Sequence, residues 1–328
     1  MAFFDFPEDQ LRSYTGQARL PDDFEAFWLD TIDAQPADLD VRVEKVDFPV
    51  AAYEVFDVSF LGYGGARIHS WVRVPTGNGR RPTVLHFIGY SGSRGYPWKE
   101  DWFGEAGFVH ATMDSRSQGW RTRNFGPTTD DPDLSRGVTA QPGLMTSGIL
   151  DRDTYYYRRL YVDALRFLQA ILTLDVVDPD KVVVTGASQG GGLTLALTGL
   201  AALTKIPLAG SMPDVPFLCD FPRAVGLTDD NPYAEIREYL RYNPQLTDQV
   251  FNTLAYFDSV NFARLGNTPA LFSTGLMDTT CPPSTVFAAY NAYPHPDKAI
   301  EVWRWNGHEG GQEHMVLKQL SWLQEHTN

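Results

Sequence analysis

From the N-terminus to about residue 40 the apolar positions recur at helical spacing. Phe24, Phe27, Trp28 and Ile32 share one face, and Pro21-Asp22-Asp23 supplies a helix start. From Arg42 to Val74 the period shortens to two. Val43–Phe48, Tyr53–Phe60 and Arg67–Val74 alternate, with the turn Leu61–Gly65 between the last pair, and predict antiparallel strands. Thr83–Ile88 is then apolar without a break, the signature of a strand covered on both faces. Helical and strand-like stretches alternate from there. Helices are expected at 98–106, 153–174, after Ser188, at 284–293 and at 312–324. Strands are expected at 108–114, 182–184, 208–213, 270–275 and 298–305. Such alternation predicts an α/β fold: a mostly parallel, doubly wound sheet with antiparallel entry strands and an N-terminal helical extension. Two stretches fall outside the rhythm. Residues 115–150, rich in Gly, Pro, Asp and Arg, predict a long loop near a site, and 215–265 a helical insertion. No repeat or linker divides the chain, so a single domain over 1–328 is expected.

The pattern changes most abruptly at Val182–Gly192. A β-branched run meets Gly186-Ala187-Ser188-Gln189-Gly190, and a small-residue, Leu-rich helix follows at once. A bare Gly-x-Ser-x-Gly is common in loops. Between a buried strand and a helix it predicts a nucleophile elbow, with the serine lifted above the sheet on a strained turn. An activated serine needs a base, and the base needs an orienting acid; behind such an elbow the chain order is Ser, acid, His. Sites of this kind lie at the carboxyl ends of strands. His69, His86 and His110 precede Ser188 and fall inside predicted strands, where satisfied histidines are expected. His295 lies before the last strand, and His314 and His326 fall on the terminal helix. His308, in the glycine-flanked loop after the last strand, is the candidate base. Asp278, after the strand at 270–274, is the candidate acid; Asp214, one strand earlier, is the alternative. Glu309 adjoins the base, too close in sequence to orient it. For the oxyanion, the donors expected are the backbone N–H groups of Gln189 and Tyr90, the latter in the turn Gly89–Gly92.

Charge and cysteine usage narrow the partners. With 27 Lys and Arg against 41 Asp and Glu, the net charge is −14, which disfavours nucleic acid and anionic membranes as partners. No stretch has the ~18 apolar residues that a membrane span needs. Cys219 and Cys281 stand in no metal-binding spacing, so buried thiols are expected and no metal site. The N-terminus lacks the basic and apolar regions of a signal peptide, so a cytoplasmic location is expected.

Several motifs point together to one family. They are Met1–Asp5, Phe27-Trp28, Gly89-Tyr90, Gly148–Asp151 with Thr154–Arg158, the elbow, Pro216–Phe221, Gly275–Asp278 and His308-Glu309. The chain resembles the cephalosporin-C deacetylase and acetyl xylan esterase family, carbohydrate esterase family seven, over nearly its whole length. The resemblance implies an α/β-hydrolase fold and a serine esterase that removes short acyl groups, chiefly acetyl, from acetylated sugars such as xylo-oligosaccharides and from cephalosporin C. It implies Ser188, Asp278 and His308 as triad, Tyr90 and Gln189 as oxyanion donors, no cofactor, and a ring-like homohexamer with sites facing an inner chamber. Two positions depart from the family pattern. Arg116-Ser117-Gln118 stands where the family has Arg-Gly-Gln, and Ile88 stands where it has His before the Gly-Tyr turn. Both neighbour the oxyanion loop, so a shifted backbone and an altered acyl preference are expected there. Two further readings share the elbow: a serine peptidase of the prolyl-oligopeptidase kind, for which the chain has no room for a β-propeller, and a non-catalytic hydrolase-like binder, which would usually lack a triad member.

Overall fold

A computed structural model describes residues 3–327 apart from 48, 50, 99–100, 120–128 and 130–142. Its centre is a nine-stranded sheet: β1 (Arg42–Val46), β2 (Tyr53–Leu61), β3 (Arg67–Pro75), β4 (Arg81–Phe87), β5 (Val109–Met113), β6 (Val177–Ala187), β7 (Gly210–Asp214), β8 (Ala270–Gly275) and β9 (Lys298–Trp303). The spatial order is β1-β2-β3-β5-β4-β6-β7-β8-β9. Pairs up to β3–β5 are antiparallel and all later pairs are parallel. The expected α/β-hydrolase architecture, with antiparallel entry strands, is therefore present.

Side-chain period explains the difference between the two halves of the sheet. β5 and β8 are buried at every position, because helices cover both faces. β1, at the free edge, is exposed along most of its length. β6 starts five residues before the Val182 run, through Asp178-Pro179-Asp180, which reads as a turn in sequence. A register irregularity opposite Arg81 and Thr83 accommodates it, and proline is tolerated at such irregularities. The helix expected at 98–106 is only Trp102–Glu105, capped by the Asp101 carboxylate on the Gly104 amide at 3.1 Å.

The N-terminal extension is tied to the main body. Phe24, Phe27 and Trp28 of the helix Phe24–Asp33 pack edge-on against Phe257 and Phe262 from the 215–265 insertion, and Trp28 stacks on Tyr161. The Trp28 indole N–H donates to the Tyr256 carbonyl at 3.0 Å. The insertion forms the helices Phe221–Leu227, Tyr233–Tyr242, Thr247–Leu254 and Ser259–Ala263, as its composition predicted. Most of the 115–150 stretch lies outside the described residues. Its two ends do not, and both reach the candidate site.

Candidate active site

The elbow is built by close approach. β6 delivers Ser188 at φ 59° and ψ −121°, a region that costs a non-glycine residue about 1–3 kcal/mol, and the helix Gln189–Thr204 starts directly after it. A Cβ at Gly186 would lie 2.6 Å from the Phe87 carbonyl oxygen, and one at Gly190 would overlap the same carbonyl. Glycine is therefore required at both positions for β4, β6 and the helix to meet. The strained turn is tied down on both sides: the Ser188 N–H donates to the Asp214 carbonyl at 3.0 Å, and the Ser188 carbonyl accepts from Phe217 N–H at 2.9 Å.

Three distant segments converge here. His308 Nε2 lies 3.0 Å from Ser188 Oγ, and His308 Nδ1 lies 2.9 Å from Asp278 Oδ2. Asp278 is fully buried, and its other oxygen accepts from the Thr280 and Cys281 amides, each at 2.8 Å. Burial by itself would lower the His308 pKa. The hydrogen bond and charge of Asp278, helped by Asp214 and Glu309, raise it above the usual histidine value instead. Among the described residues Asp214 makes no hydrogen bond to His308. Burial raises its pKa, and its carboxylate accepts a short bond from the Ser273 hydroxyl. Glu309 folds back on its own loop, accepting from Gly307 N–H at 3.1 Å and from the Asn306 amide at 3.2 Å. This brace shapes the loop that presents His308.

The Gly89–Gly92 turn faces the serine, since a Cβ at Gly89 would lie 3.9 Å from the Ser188 Cβ. Gln189 opens its helix, so its N–H has no intrahelical acceptor and points the positive end of a 16-residue helix at this space. The Gly89–Gly92 turn and the start of the Gln189–Thr204 helix thus both lie beside Ser188.

Sequence reasoning missed the braces behind these amides. Gln118 Oε1 accepts from Ser91 N–H at 2.7 Å, while its Nε2 donates to Gln189 Oε1 at 2.9 Å and Tyr156 OH at 3.0 Å. Tyr157 OH donates to Gln189 Oε1 at 3.0 Å. One buried amide therefore couples the Gly89–Gly92 turn to the elbow helix. Arg116 secures the same segment through two bonds to the buried Asp163 carboxylate, at 2.6 and 2.7 Å. Between them Ser117 sits at φ 55°, in the left-handed region that favours glycine, so the backbone keeps a glycine-type conformation with a serine in place. The signal was present in Arg116-Ser117-Gln118 and in the tyrosines of 154–158; what sequence alone lacked was their partners. Glu235 gave no signal. It accepts the Tyr90 hydroxyl at 3.0 Å and also Met145 N–H at 3.3 Å, and so ties the Gly89–Gly92 turn to the insertion.

A ligand atom of each of Asp278, Cys281 and His308 falls within 4.8 Å of the others, the one such grouping found among the described residues. A metal there would compete with at least one of the two bonds made by His308. Burial also raises the Cys281 thiol pKa well above its usual value, which opposes the thiolate a metal needs. The arrangement suits proton transfer better than metal binding.

Comparison with known proteins gives the family. The family model for acetyl xylan esterase (AXE1) matches residues 1–326. This chain belongs to that family. It is thereby a member of a family of carboxylic ester hydrolases. An acetyl xylan esterase from Paenibacillus sp. R4 superposes with a TM-score of 0.87 at 34% identity, covering 98% of this chain and 100% of that one. Acetyl xylan esterase 1 from Thermoanaerobacterium sp. JW/SL YS485 gives 0.84 at 33% identity, over 98% of this chain and 99% of that one. Acetyl esterase Axe7A of Xylanibacter ruminicola is 28% identical over 302 residues, 90% of this chain; the match spans 64% of the length of that relative. Among the described residues no helix is long and apolar enough to cross a membrane, and both cysteines are unpaired and buried.

Proposed function

We infer that this chain is a serine esterase that removes acetyl and similarly short acyl groups from acetylated sugars, xylo-oligosaccharides among them, and from cephalosporin C. One observation carries the inference. In a member of the acetyl xylan esterase family, the Ser188 hydroxyl lies 3.0 Å from an imidazole that is itself 2.9 Å from a buried carboxylate. Ser188 Oγ attacks the ester carbonyl and His308 Nε2 takes its proton. The Tyr90 and Gln189 amides receive the negative oxygen of the tetrahedral intermediate. His308 returns the proton to the departing sugar alkoxide, and water then cleaves the acetyl-Ser188 ester by the reverse sequence. Asp278 holds Nδ1–H and stabilises the transient imidazolium, which the raised His308 pKa reflects. No step calls on a metal or an organic cofactor.

Family likeness supports three further parts of this reading: action as a single catalytic domain, assembly into a homohexamer, and small soluble substrates. The two unpaired buried thiols accord with a reducing, cytoplasmic location. An acyl-chain-length series on p-nitrophenyl esters tests the core of the proposal. Wild type is expected to prefer acetate over longer acyl groups, and Ser188→Ala to lose roughly 10⁴- to 10⁶-fold in kcat. A Ser188→Ala variant that keeps its rate, or a wild type that escapes labelling by a serine-directed organophosphonate, would refute it. Native mass spectrometry tests the hexamer.

A further inference from the structure

The helix Tyr233–Tyr242 carries two stripes. Tyr233, Ile236 and Leu240 face the core. Glu235, Glu238, Tyr239 and Tyr242 follow at i, i+3, i+4 and i+7 and line a depression of about 430 Å³ together with Asn231 and Asn243. The depression is shallow and open to solvent rather than an enclosed cleft, as suits a chain laid along the surface. Tyr242 is 73% exposed, the most exposed of the large apolar side chains here. Its hydroxyl has no partner among the described residues.

The depression adjoins the active site. Glu235, on its wall, accepts the Tyr90 hydroxyl, and the Leu144 N–H donates to the same hydroxyl at 3.1 Å. The depression thus starts one tyrosine side chain from the oxyanion turn. The segment leading into the helix also meets the acid loop: Thr228 Oγ1 donates to the Thr279 carbonyl, and Thr279 to Asp230. The wall of the depression therefore touches the Tyr90 side chain through Glu235, and the segment leading into that wall touches the loop of Asp278.

Its chemistry selects the occupant. Two glutamates and no basic side chain among the lining residues repel anions; Arg241 pairs with Glu238 at 3.4 Å from outside the lining. Asparagine amides and glutamate carboxylates suit hydroxyl groups. An exposed tyrosine ring offers a negative π-face to polarised C–H bonds. A neutral ring with hydroxyls on its rim and C–H bonds on its faces satisfies all three, and a pyranose is such a ring.

We propose that the Glu235–Tyr242 face is a sugar subsite that holds the oligosaccharide next to the acetylated residue, with Tyr242 as stacking platform. This deepens the esterase reading and rests on it. The test compares kcat/KM for an acetylated xylo-oligosaccharide with kcat/KM for p-nitrophenyl acetate, which has no sugar to place. In Tyr242→Ala the ratio of the two falls roughly fivefold to tenfold, as loss of one aromatic contact predicts, and the change is in KM. Tyr242→Trp, which restores a ring, recovers the ratio. Unacetylated xylo-oligosaccharide inhibits p-nitrophenyl acetate hydrolysis competitively, and does so more weakly in Tyr242→Ala. An unchanged ratio in Tyr242→Ala overturns the subsite, as does a wild type that cleaves p-nitrophenyl acetate but not the oligosaccharide. A wild type inert to both substrates instead overturns the esterase reading itself.

Discussion

In the proposed mechanism Gln118 connects loop geometry to rate, and replacing it by methionine tests that link. Methionine matches the length of glutamine and leaves little cavity. It removes one acceptor and both donors. Tyr156 keeps the Arg116 carbonyl at 2.6 Å, and Gln189 Oε1 keeps Tyr157 OH at 3.0 Å. Ser91 keeps nothing comparable: its N–H donates to Gln118 Oε1 at 2.7 Å and has no other acceptor among the described residues. One orphaned buried amide costs about 1–3 kcal/mol, and the lost neutral bonds about 1 kcal/mol more, so a destabilisation of roughly 2–4 kcal/mol is expected. For a chain of this size that lowers Tm by roughly 3–6 °C. Ser91 also sits at φ 70°, a strained conformation that persists only while neighbours enforce it. Once released, the turn relaxes and carries the Tyr90 amide away from the oxyanion. Loss of one such donor sets the upper limit, about 10²- to 10³-fold in kcat. Because the charge exists only in the transition state, kcat falls while KM for p-nitrophenyl acetate holds. Thermal melting and steady-state kinetics at a temperature well below both Tm values check this. A variant that melts lower but keeps kcat within twofold would show that Gln118 only supports the fold, and the coupling argument would fail.

Other outcomes follow from the same geometry. Ser117→Gly relieves a left-handed serine at the cost of chain entropy and is expected to stabilise by about 0.5–1 kcal/mol, read as a small rise in Tm without loss of rate. Activity needs neutral His308, whose pKa is raised, so kcat/KM should rise with pH to a plateau with a midpoint above the usual histidine value of about 6.5; Asp278→Asn removes the cause, moves the midpoint down and cuts kcat by about 10⁴-fold. A midpoint unmoved by that change would show that Asp278 does not set the pKa. Burial raises Asp114 to about 6 and Asp258 to about 7, and raises Asp214 and Asp220 as well. A carboxyl whose pKa is higher folded than unfolded contributes stability that is present below its unfolded pKa, near 4, and is lost as pH rises through the folded value. Raised His308 acts in the same direction. Asp57 opposes them: burial would raise it, but His69 and Arg94 hold it at about 2, so its contribution is lost only as the pH falls below about 4. Tm measured from pH 5.5 to 8.5 should therefore decline, and a flat or rising profile would contradict this sum.

The sheet and the three converging side chains were legible because each rests on local signals that topology then multiplies. The Val182–Val184 run, the glycines around Ser188 and the loop positions of Asp278 and His308 are each weak alone. A parallel sheet brings the carboxyl ends of β6, β8 and β9 to one edge, so strand order converts three sequence positions into one place. The braces behave differently. Gln118 meets Ser91 across 27 positions and Gln189 across 71, and Glu235 meets Tyr90 across 145. No period or spacing encodes such pairs, because they depend on where an irregular loop and a helical insertion come to rest on the sheet. Strand ends failed for a related reason: Asp178-Pro179-Asp180 has turn propensity, yet β6 runs through it as an irregularity between the Arg81–Val177 and Thr83–Val182 pairs. The division has a functional consequence. The residues proposed to carry proton transfer sit at the ends of scaffold strands, where sequence order predicts them. Gln118 and Glu235, which brace the Gly89–Gly92 turn, sit on the insertions. Changes of acyl or sugar preference within this family are therefore expected at positions such as 88, 117, 118, 235 and 242, with Ser188, Asp278 and His308 held fixed.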